Sequence, residues 1–339
     1  MLKLGIIGCG LIGKKRSIAA LELGDRVIQC FDPNPSSATE IASLTQCNVA
    51  ATWQELVQNP DIDVVVVATP NNLHAPMTIQ ALQSGKHVIC EKPLACTADE
   101  SAEMVRTAKQ HNRILKTGFN HRHFPGITKA HQLFTEGAIG DLLYIRARYG
   151  HGGRPGYDEE WRGKASTSGG GELLDQGVHI IDLCRWFMGE ISEAYGLLTN
   201  HFWKKTSLED NAFVLLKTTG GSVAQFHTSW TQWKNLFSFE VMGSTGYLKI
   251  EGLTGSYGSQ RLYIGKRDDA RWRPVEELIE FPPDDISWIE EWSEFKAALS
   301  EGRSPLGSGQ DGYATSAIID TIYNSCRTGQ ILPVPQHSL

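Results

Sequence analysis

A short apolar run, Leu4 to Ile7, breaks directly into Gly8-Cys9-Gly10-Leu11-Ile12-Gly13, and a helical pattern follows from Leu11 to Leu23. Strand, G-x-G-x-x-G turn and helix in that order constrain the fold more than any other feature of the chain. The first glycine permits the tight turn, the second lets backbone approach a pyrophosphate, and the third lets helix and strand pack closely. The helix N-terminus then stabilises the negative charge, so Gly8, Gly10, Leu11, Ile12 and Gly13 are the expected cradle of a dinucleotide. Asp32 lies at the end of the next apolar run, Val27 to Phe31, where a carboxylate can accept from both adenosine ribose hydroxyls. It would repel a 2′-phosphate, and Pro33-Asn34-Pro35 offers no cation to offset that, so NAD is expected over NADP. Lys14, Lys15 and Arg16 are the cations that could swing toward a phosphate.

The runs Val64 to Ala68, His87 to Cys90 and Ile114 to Thr117 continue the strand series, with helical patterns over Pro76 to Ser84 and Thr97 to His111 between them. Thr97 and Glu100 have the spacing of a capping box. Alternating strands and helices predict a doubly wound parallel sheet. After about Asn120 strand patterns succeed one another with only turns between: Leu142 to Tyr149, Ala194 to His201, Ala212 to Thr218, Ser222 to Trp230, Leu236 to Met242, Tyr247 to Glu251 and Arg261 to Ile264. Their polar and apolar alternation predicts a large, mainly antiparallel open sheet. Helices over Ser287 to Leu299 and Asp311 to Cys326 close the chain, with a frayed tail around Pro333 and Pro335. The reading is therefore α/β: a Rossmann domain over 1–120 and an α+β domain over 121–339 for substrate binding and subunit association. That division suits a chain of 339 residues.

Composition narrows the partners. The formal net charge of −6 comes without a basic block, which argues against nucleic acid. No stretch of about 18 apolar residues is present to suggest a membrane span. The seven cysteines have no metal-ligand spacing and read as reduced thiols of a cytoplasmic protein, and no metal is expected.

Ligands of open α/β sheets bind outside the carboxyl ends of the strands. Thr69-Pro70-Asn71 with His74 follows one such end, and Glu91-Lys92-Pro93 another. Together with Gly85 to Pro93 and Gly169 to Asp182 (GGGELLDQGVHIID), these motifs resemble the Gfo/Idh/MocA oxidoreductases, named for glucose–fructose oxidoreductase and inositol dehydrogenase. The resemblance implies a Rossmann domain followed by a substrate domain whose open sheet often serves association, NAD or NADP as cofactor, and sugars, sugar nucleotides or cyclitols as substrates. It places the catalytic positions at Lys92, Asp175 and His179. Trp161 and Arg162 match a pair near the nicotinamide in some members, and Lys92-Pro93 matches a commonly cis bond. The stretch Asn120-His121-Arg122-His123-Phe124 departs from the family, which often has an aromatic or arginine in place of one histidine.

Removing a hydride from a secondary alcohol requires a base for the hydroxyl proton and a group to stabilise the developing alkoxide. Asp175 and His179 are four apart on a predicted helix and share a face with Asp182. His179, with an ordinary pKa of about 6.5, suits the acid/base role. Asp175 would orient it, and Lys92 would bind the reacting oxygen; a desolvated lysine could itself be the base, and the two alternatives stand. Thr69, Pro70, Asn71, His74, Glu91, Lys92, Trp161 and Arg162 complete the expected cofactor contacts. Glu91 more plausibly fixes its loop than performs chemistry.

Substrate contacts are expected from Lys92, Arg122, His123, Tyr149, Arg154, Asp175 and His179. Arg146, Arg148, His151, Arg154, Tyr157, Trp161 and Arg162 lean toward a phosphorylated, nucleotide-linked or carboxylated sugar. The strands from Ala212 to Met242, with Trp230, Trp233 and Phe237, could form the face of a homo-oligomer, dimer or tetramer, or could equally cover helices. Two rival readings share these motifs: a glycoside hydrolase that retains NAD, and a non-catalytic NAD-binding sensor.

Overall fold

The computed structural model describes residues 1–268, 270 and 273–335. Residues 336–339 of the expected second domain lie outside the described residues. The first layer is a six-stranded parallel sheet of β1 (Lys3–Ile7), β2 (Arg26–Phe31), β3 (Asn48–Val49), β4 (Val64–Val67), β5 (His87–Cys90) and β6 (Leu115–Thr117). Its order, β3-β2-β1-β4-β5-β6, is doubly wound, with the switch point beside β1 where the glycine turn emerges. Val64 to Val67 are all fully buried, as expected for a central parallel strand covered on both faces.

The crossover helices are α1 (Leu11–Glu22), α2 (Pro35–Thr45), α3 (Trp53–Gln58), α4 (His74–Gln83) and α5 (Ala98–Gln110). Helix α4 begins two residues before Pro76, because proline is tolerated in a first turn, where its missing N–H has no helical partner. The Thr97 hydroxyl caps α5 by accepting from the Glu100 N–H, but the Glu100 carboxylate accepts from the Cys96 N–H instead of closing the box. Helices α2 and α3 were not anticipated. Asn34 and Thr52, which cap them, are the sequence signals that mark their starts.

The second layer follows α6 (Pro125–Thr135). It contains β7 (Leu142–Gly150), the short α7 (Ala165–Ser168), α8 (Val178–Met188), β8 (Ile191–Thr199), β9 (Asn211–Thr218), β10 (Val223–Ser229), β11 (Leu236–Gly243), β12 (Gly246–Glu251), β13 (Arg261–Lys266) and β14 (Val275–Glu280). Then come α9 (Ser287–Glu301), α10 (Gly309–Thr328) and β15 (Leu332–Pro333). The nine strands form one sheet, β14-β13-β12-β11-β7-β10-β9-β8-β15, antiparallel throughout except for the β7–β10 pair. The tail expected to fray is instead tied down, Leu332 and Pro333 pairing with Ala194 and Glu193 at the sheet edge.

Helices α6, α8 and α10 pack on the inner face of this sheet in one large apolar core. The outer face stays open, so Tyr144, Arg146 and Arg148 of β7 point outward while Ile145, Ala147 and Tyr149 are buried. Of the two alternatives for the aromatic trio, Trp230 and Phe237 are buried and so do not lie on an association face; only Trp233 is exposed.

Helix α9 leaves the second layer and covers the first. Trp288, Trp292 and Phe295 pack with Ala19 and Ala20 of α1 against Leu4, Ile6 and Val66. A buried ion cluster fastens it there. Arg16 Nη1 lies 2.5 Å from Glu291 Oε2, Arg16 Nη2 2.6 Å from Glu91 Oε1, and Lys116 Nζ 3.2 Å from Glu291 Oε1. All seven cysteines are free, with Cys9, Cys30, Cys90 and Cys184 buried.

Candidate active site

Gly8 has φ +94°, and a Cβ there would strike the Ala68 carbonyl; a Cβ on Gly13 would strike the Gly8 carbonyl oxygen. At Gly10 a Cβ would meet nothing within 4 Å, so the turn leaves open room on the side where backbone N–H groups end the helix. No side chain caps α1 at Gly10, and its first N–H groups remain available to an anion. Asp32 is held in place, its Oδ2 accepting from the Cys9 N–H and its Oδ1 from the Asn34 N–H, both at 2.8 Å. Those residues fit the pyrophosphate and ribose of a dinucleotide. The cations that might have accepted a 2′-phosphate are engaged elsewhere: Lys14 with Glu40, Lys15 with Asp285, and Arg16 in the buried cluster.

Thr69 and Pro70, just beyond the end of β4, are both half-buried beside the turn. Asn71 Nδ2 donates to the Ser168 carbonyl at 2.8 Å, joining this loop to α7 of the second layer. His74 is buried, with its ring nitrogens 2.8 Å from the Pro93 carbonyl oxygen and 2.9 Å from that of Thr69. It clamps the β4 and β5 loops together, so its ring does not face the opening. Glu91, also buried, accepts from Arg16, which fixes the residue immediately before Lys92; the Lys92–Pro93 bond is cis.

The loop after β5 meets the glycine-rich segment of the second layer. Lys92 Nζ donates to the Asp175 carbonyl oxygen at 2.6 Å and lies 3.1 Å from its Oδ1. The other carboxylate oxygen accepts from the Tyr157 hydroxyl at 3.2 Å, and Arg162 Nε stands 3.8 Å from it. Burial pushes the Asp175 pKa up, but Lys92 and Arg162 win and hold it below the ordinary carboxylate range. Asp175 is therefore an anion matched to Lys92.

The segment was expected to be one α-helix. Leu173–Gly177 instead forms a wider π-turn that runs into α8, a form often found at functional sites. Asp175 makes no hydrogen bond to His179 among the described residues, which corrects its expected orienting role. His179 stacks on His121, ring centroids 3.6 Å apart, with Phe119 and Tyr149 at its edges. Its Nδ1 is sealed from solvent without a partner, leaving Nε2 to meet a ligand. Burial, then His121 and Lys92, push the His179 pKa well below 6.5. At neutral pH the imidazole is uncharged and able to accept a proton.

Tyr149 completes the wall, 5.4 Å from both His121 and Tyr257, and Gln176 Nε2 donates to the Tyr257 hydroxyl. Trp161 and Arg162 occupy the facing turn, the guanidinium 4.4 Å over the indole.

Several expected substrate contacts lie elsewhere. Arg122 is buried and bidentate on Asp182, at 2.8 and 2.5 Å, with Asp311 behind it. Asp182 is thus a core ion-pair partner and not part of a cleft stripe. His123 is buried near Lys116, Glu291 and Arg16 and not with His179. Arg154 points outward, paired with Glu160 at 2.7 Å, and Arg146 pairs with Glu240 on the open sheet face. His121, the member of the 120–124 stretch that does reach the site, was missed. Its signal was available in the departure from the family pattern.

Among the described residues no three His, Cys, Asp or Glu side chains converge as a metal site, and no helix is long and apolar enough to cross a membrane.

Comparison with known proteins agrees with this geometry. Residues 2–119 match the oxidoreductase family with NAD-binding Rossmann fold, and residues 127–249 match the GFO/IDH/MocA C-terminal domain. A levoglucosan dehydrogenase of Pseudarthrobacter phenanthrenivorans is 29% identical, with 99% of each chain covered. An inositol 2-dehydrogenase of Rubrobacter xylanophilus is 25% identical, with 97% of this chain and 92% of the relative covered. A solved levoglucosan dehydrogenase in complex with NADH and levoglucosan superposes with a TM-score of 0.90 at 28% identity, over 99% of this chain and 100% of that one. Two profile matches spanning both layers, the glycine turn with its ribose-facing aspartate, and the lysine meeting the π-turn make the chain a member of the Gfo/Idh/MocA family of NAD-binding oxidoreductases.

Proposed function

We propose that this enzyme oxidises a secondary hydroxyl of an uncharged cyclic sugar or cyclitol with NAD, residues 1–120 holding the dinucleotide and 121–339 the substrate. The observation that carries the reading is the meeting of Lys92, from the first layer, with Asp175, one turn before the bare imidazole of His179. The bound nicotinamide supplies the hydride acceptor. Lys92 donates to the reacting oxygen and stabilises its developing charge, while Asp175 holds the ammonium in place and accepts from a neighbouring hydroxyl. His179 takes the hydroxyl proton on Nε2.

An uncharged substrate follows from charge matching. Of the arginines that suggested an anion, Arg146 and Arg154 are paired away from the site, Arg148 points outward from the open sheet face, and Arg162 shares Asp175 with Lys92. What packs around His179 is aromatic, His121, Tyr149 and Phe119, with Tyr257 beyond Tyr149 and Tyr157 on Asp175, the kind of surface on which a sugar ring packs. The relatives named for levoglucosan and inositol support the same class.

The test is NADH formation at 340 nm with purified protein, NAD, and a panel of anhydro sugars, inositols and their phosphates. Turnover confined to the uncharged members, and lost in K92A and D175N variants that still bind NADH, is the expected result. Preference for the phosphates overturns the substrate class. Sugar release without net NADH assigns a hydrolase, and NAD binding with no turnover on any member leaves a sensor.

We also infer a homo-oligomer, dimer or tetramer, formed through the open sheet face. Leu197, Phe213 and Leu215 lie exposed on paired strands β8 and β9, with Leu197 opposite Phe213. A monomeric mass by light scattering at micromolar concentration overturns it.

A further inference from the structure

The imidazole of His179 shares its buried volume with a second one. His121 lies nearly parallel to it, 21° between the planes, and is 5% exposed. A hydrogen-bond chain sets its tautomer. The Ser287 hydroxyl donates to Asp285 at 2.6 Å, so its oxygen accepts from Asn120 Nδ2 at 3.0 Å; this turns Asn120 Oδ1 toward His121 Nδ1, 3.2 Å away. Nδ1 must therefore carry the proton. Nε2 of His121 is left bare, buried and unpartnered.

Two stacked imidazoles at this distance cannot both be charged, because like charges a few ångströms apart in a buried site repel strongly. Their surroundings decide which ring charges first. His179 faces Lys92 from the β5 loop, His121 from the 120–123 turn, Tyr149 from β7 and the Asp175 turn whose charge Lys92 already neutralises. His121 faces Lys92 and Tyr149 too, and burial and Lys92 push its pKa down to about 3. The carboxylates of Asp285 and Glu291, at and near the start of α9, oppose that pull, whereas burial, His121 and Lys92 all act downward on His179.

We propose that His121 is a positioning residue that keeps His179 free to act as base: it takes the first proton on its own Nε2 and thereby holds the second proton off its stacked neighbour. This rests on His179 being the acid/base. In the supported step the substrate O–H bond breaks, a new N–H bond forms on His179, and the hydride passes from the carbinol carbon to NAD. The alcohol is oxidised to a ketone as NAD is reduced. The device widens the acidic range over which the proton can be accepted.

The acid limb of kcat/KM for alcohol oxidation reads it directly. H121F retains an aromatic platform and removes the second basic nitrogen; whatever the height of its plateau, its acid limb should move up by roughly one pH unit, a tenfold loss on the limb relative to that plateau. H121N, smaller and neutral, should move the limb the same way. NADH binding by fluorescence confirms that each variant is folded. A profile that superposes on the wild type overturns the proposal. Retained turnover in H179N overturns instead the assignment of the base, so the two failures are distinguishable. In the unsubstituted protein, nitrogen-15 NMR of the histidine rings gives the order without any variant. Protonation of the Asn120-bonded ring before His179 is expected, and the reverse order sinks the idea.

Discussion

Replacing Glu291 by Gln tests what holds the two layers together. Arg16, Lys116, Glu91 and Glu291 form a cluster of two cations and two anions, each less than a tenth exposed. The substitution keeps the shape but leaves one positive charge uncompensated where water cannot reach it. Breaking a buried pair from one side costs about 3–5 kcal/mol. At roughly 2–4 °C per kcal/mol for chains of this class, Tm should fall by about 6–20 °C. The exposed pair Lys217–Glu193, 3.2 Å apart, is the control, since K217Q should cost at most about 1 kcal/mol. Differential scanning calorimetry at pH 7 compares them, and equal Tm values for E291Q and K217Q would refute the reasoning. The pH dependence gives a second check. Although burial pushes the Glu291 pKa up, Arg16 and Lys116 bring it down from 4.5 to about 2. Its stabilisation is therefore complete above pH 4.5 and is lost as pH falls through the folded value, so the gap between wild type and E291Q should narrow from pH 4.5 toward pH 2.

The cofactor turn separates space from fold. G10A should melt with the wild type, because its Cβ meets no protein atom, yet should weaken NADH binding at least about tenfold by occupying the approach to the pyrophosphate. G13A, whose methyl runs into the Gly8 carbonyl, should lower Tm as well as binding; equal Tm values for the two would contradict the packing account. D32S removes a repulsion on the order of 2 kcal/mol toward a 2′-phosphate, so the NAD-to-NADP ratio of kcat/KM should fall roughly 30-fold, and an unchanged ratio would acquit Asp32. R154A should leave kcat/KM within about twofold, since Arg154 points to solvent, whereas R162A, beside Asp175, should lower it tenfold or more; the opposite ranking would refute the placement of the two arginines.

The architecture was legible because it is written in local patterns. The glycine turn, the four valines of β4 and the alternation in β7 each encode a backbone environment within a few residues. Boundaries failed where a local rule had two solutions, as at Pro76, which fits either the first helical position or a later place in the first turn. The tail was misread for a different reason. Its two-residue strand is stabilised by pairing with β8, more than a hundred residues earlier, and nothing within Leu332 and Pro333 themselves announces that partner.

At the site, the family resemblance, with strand ends and helix spacing, pointed to Lys92, Asp175 and His179, but not to which charge answers which. Arg122, His123 and Arg154 looked equally available in a string of letters. Asp182, 60 residues away, claims Arg122, Glu160 claims Arg154, and burial silences His123. On the proposed reading this pairing bears on the substrate: Lys92 and Arg162 share the one carboxylate of Asp175, so a phosphate would have to compete with Asp175 for both. A neutral ring with several hydroxyls loses far less on leaving water and gains the aromatic wall. Charge pairing across distant parts of the chain, more than the inventory of charged residues, therefore shapes the proposed substrate class.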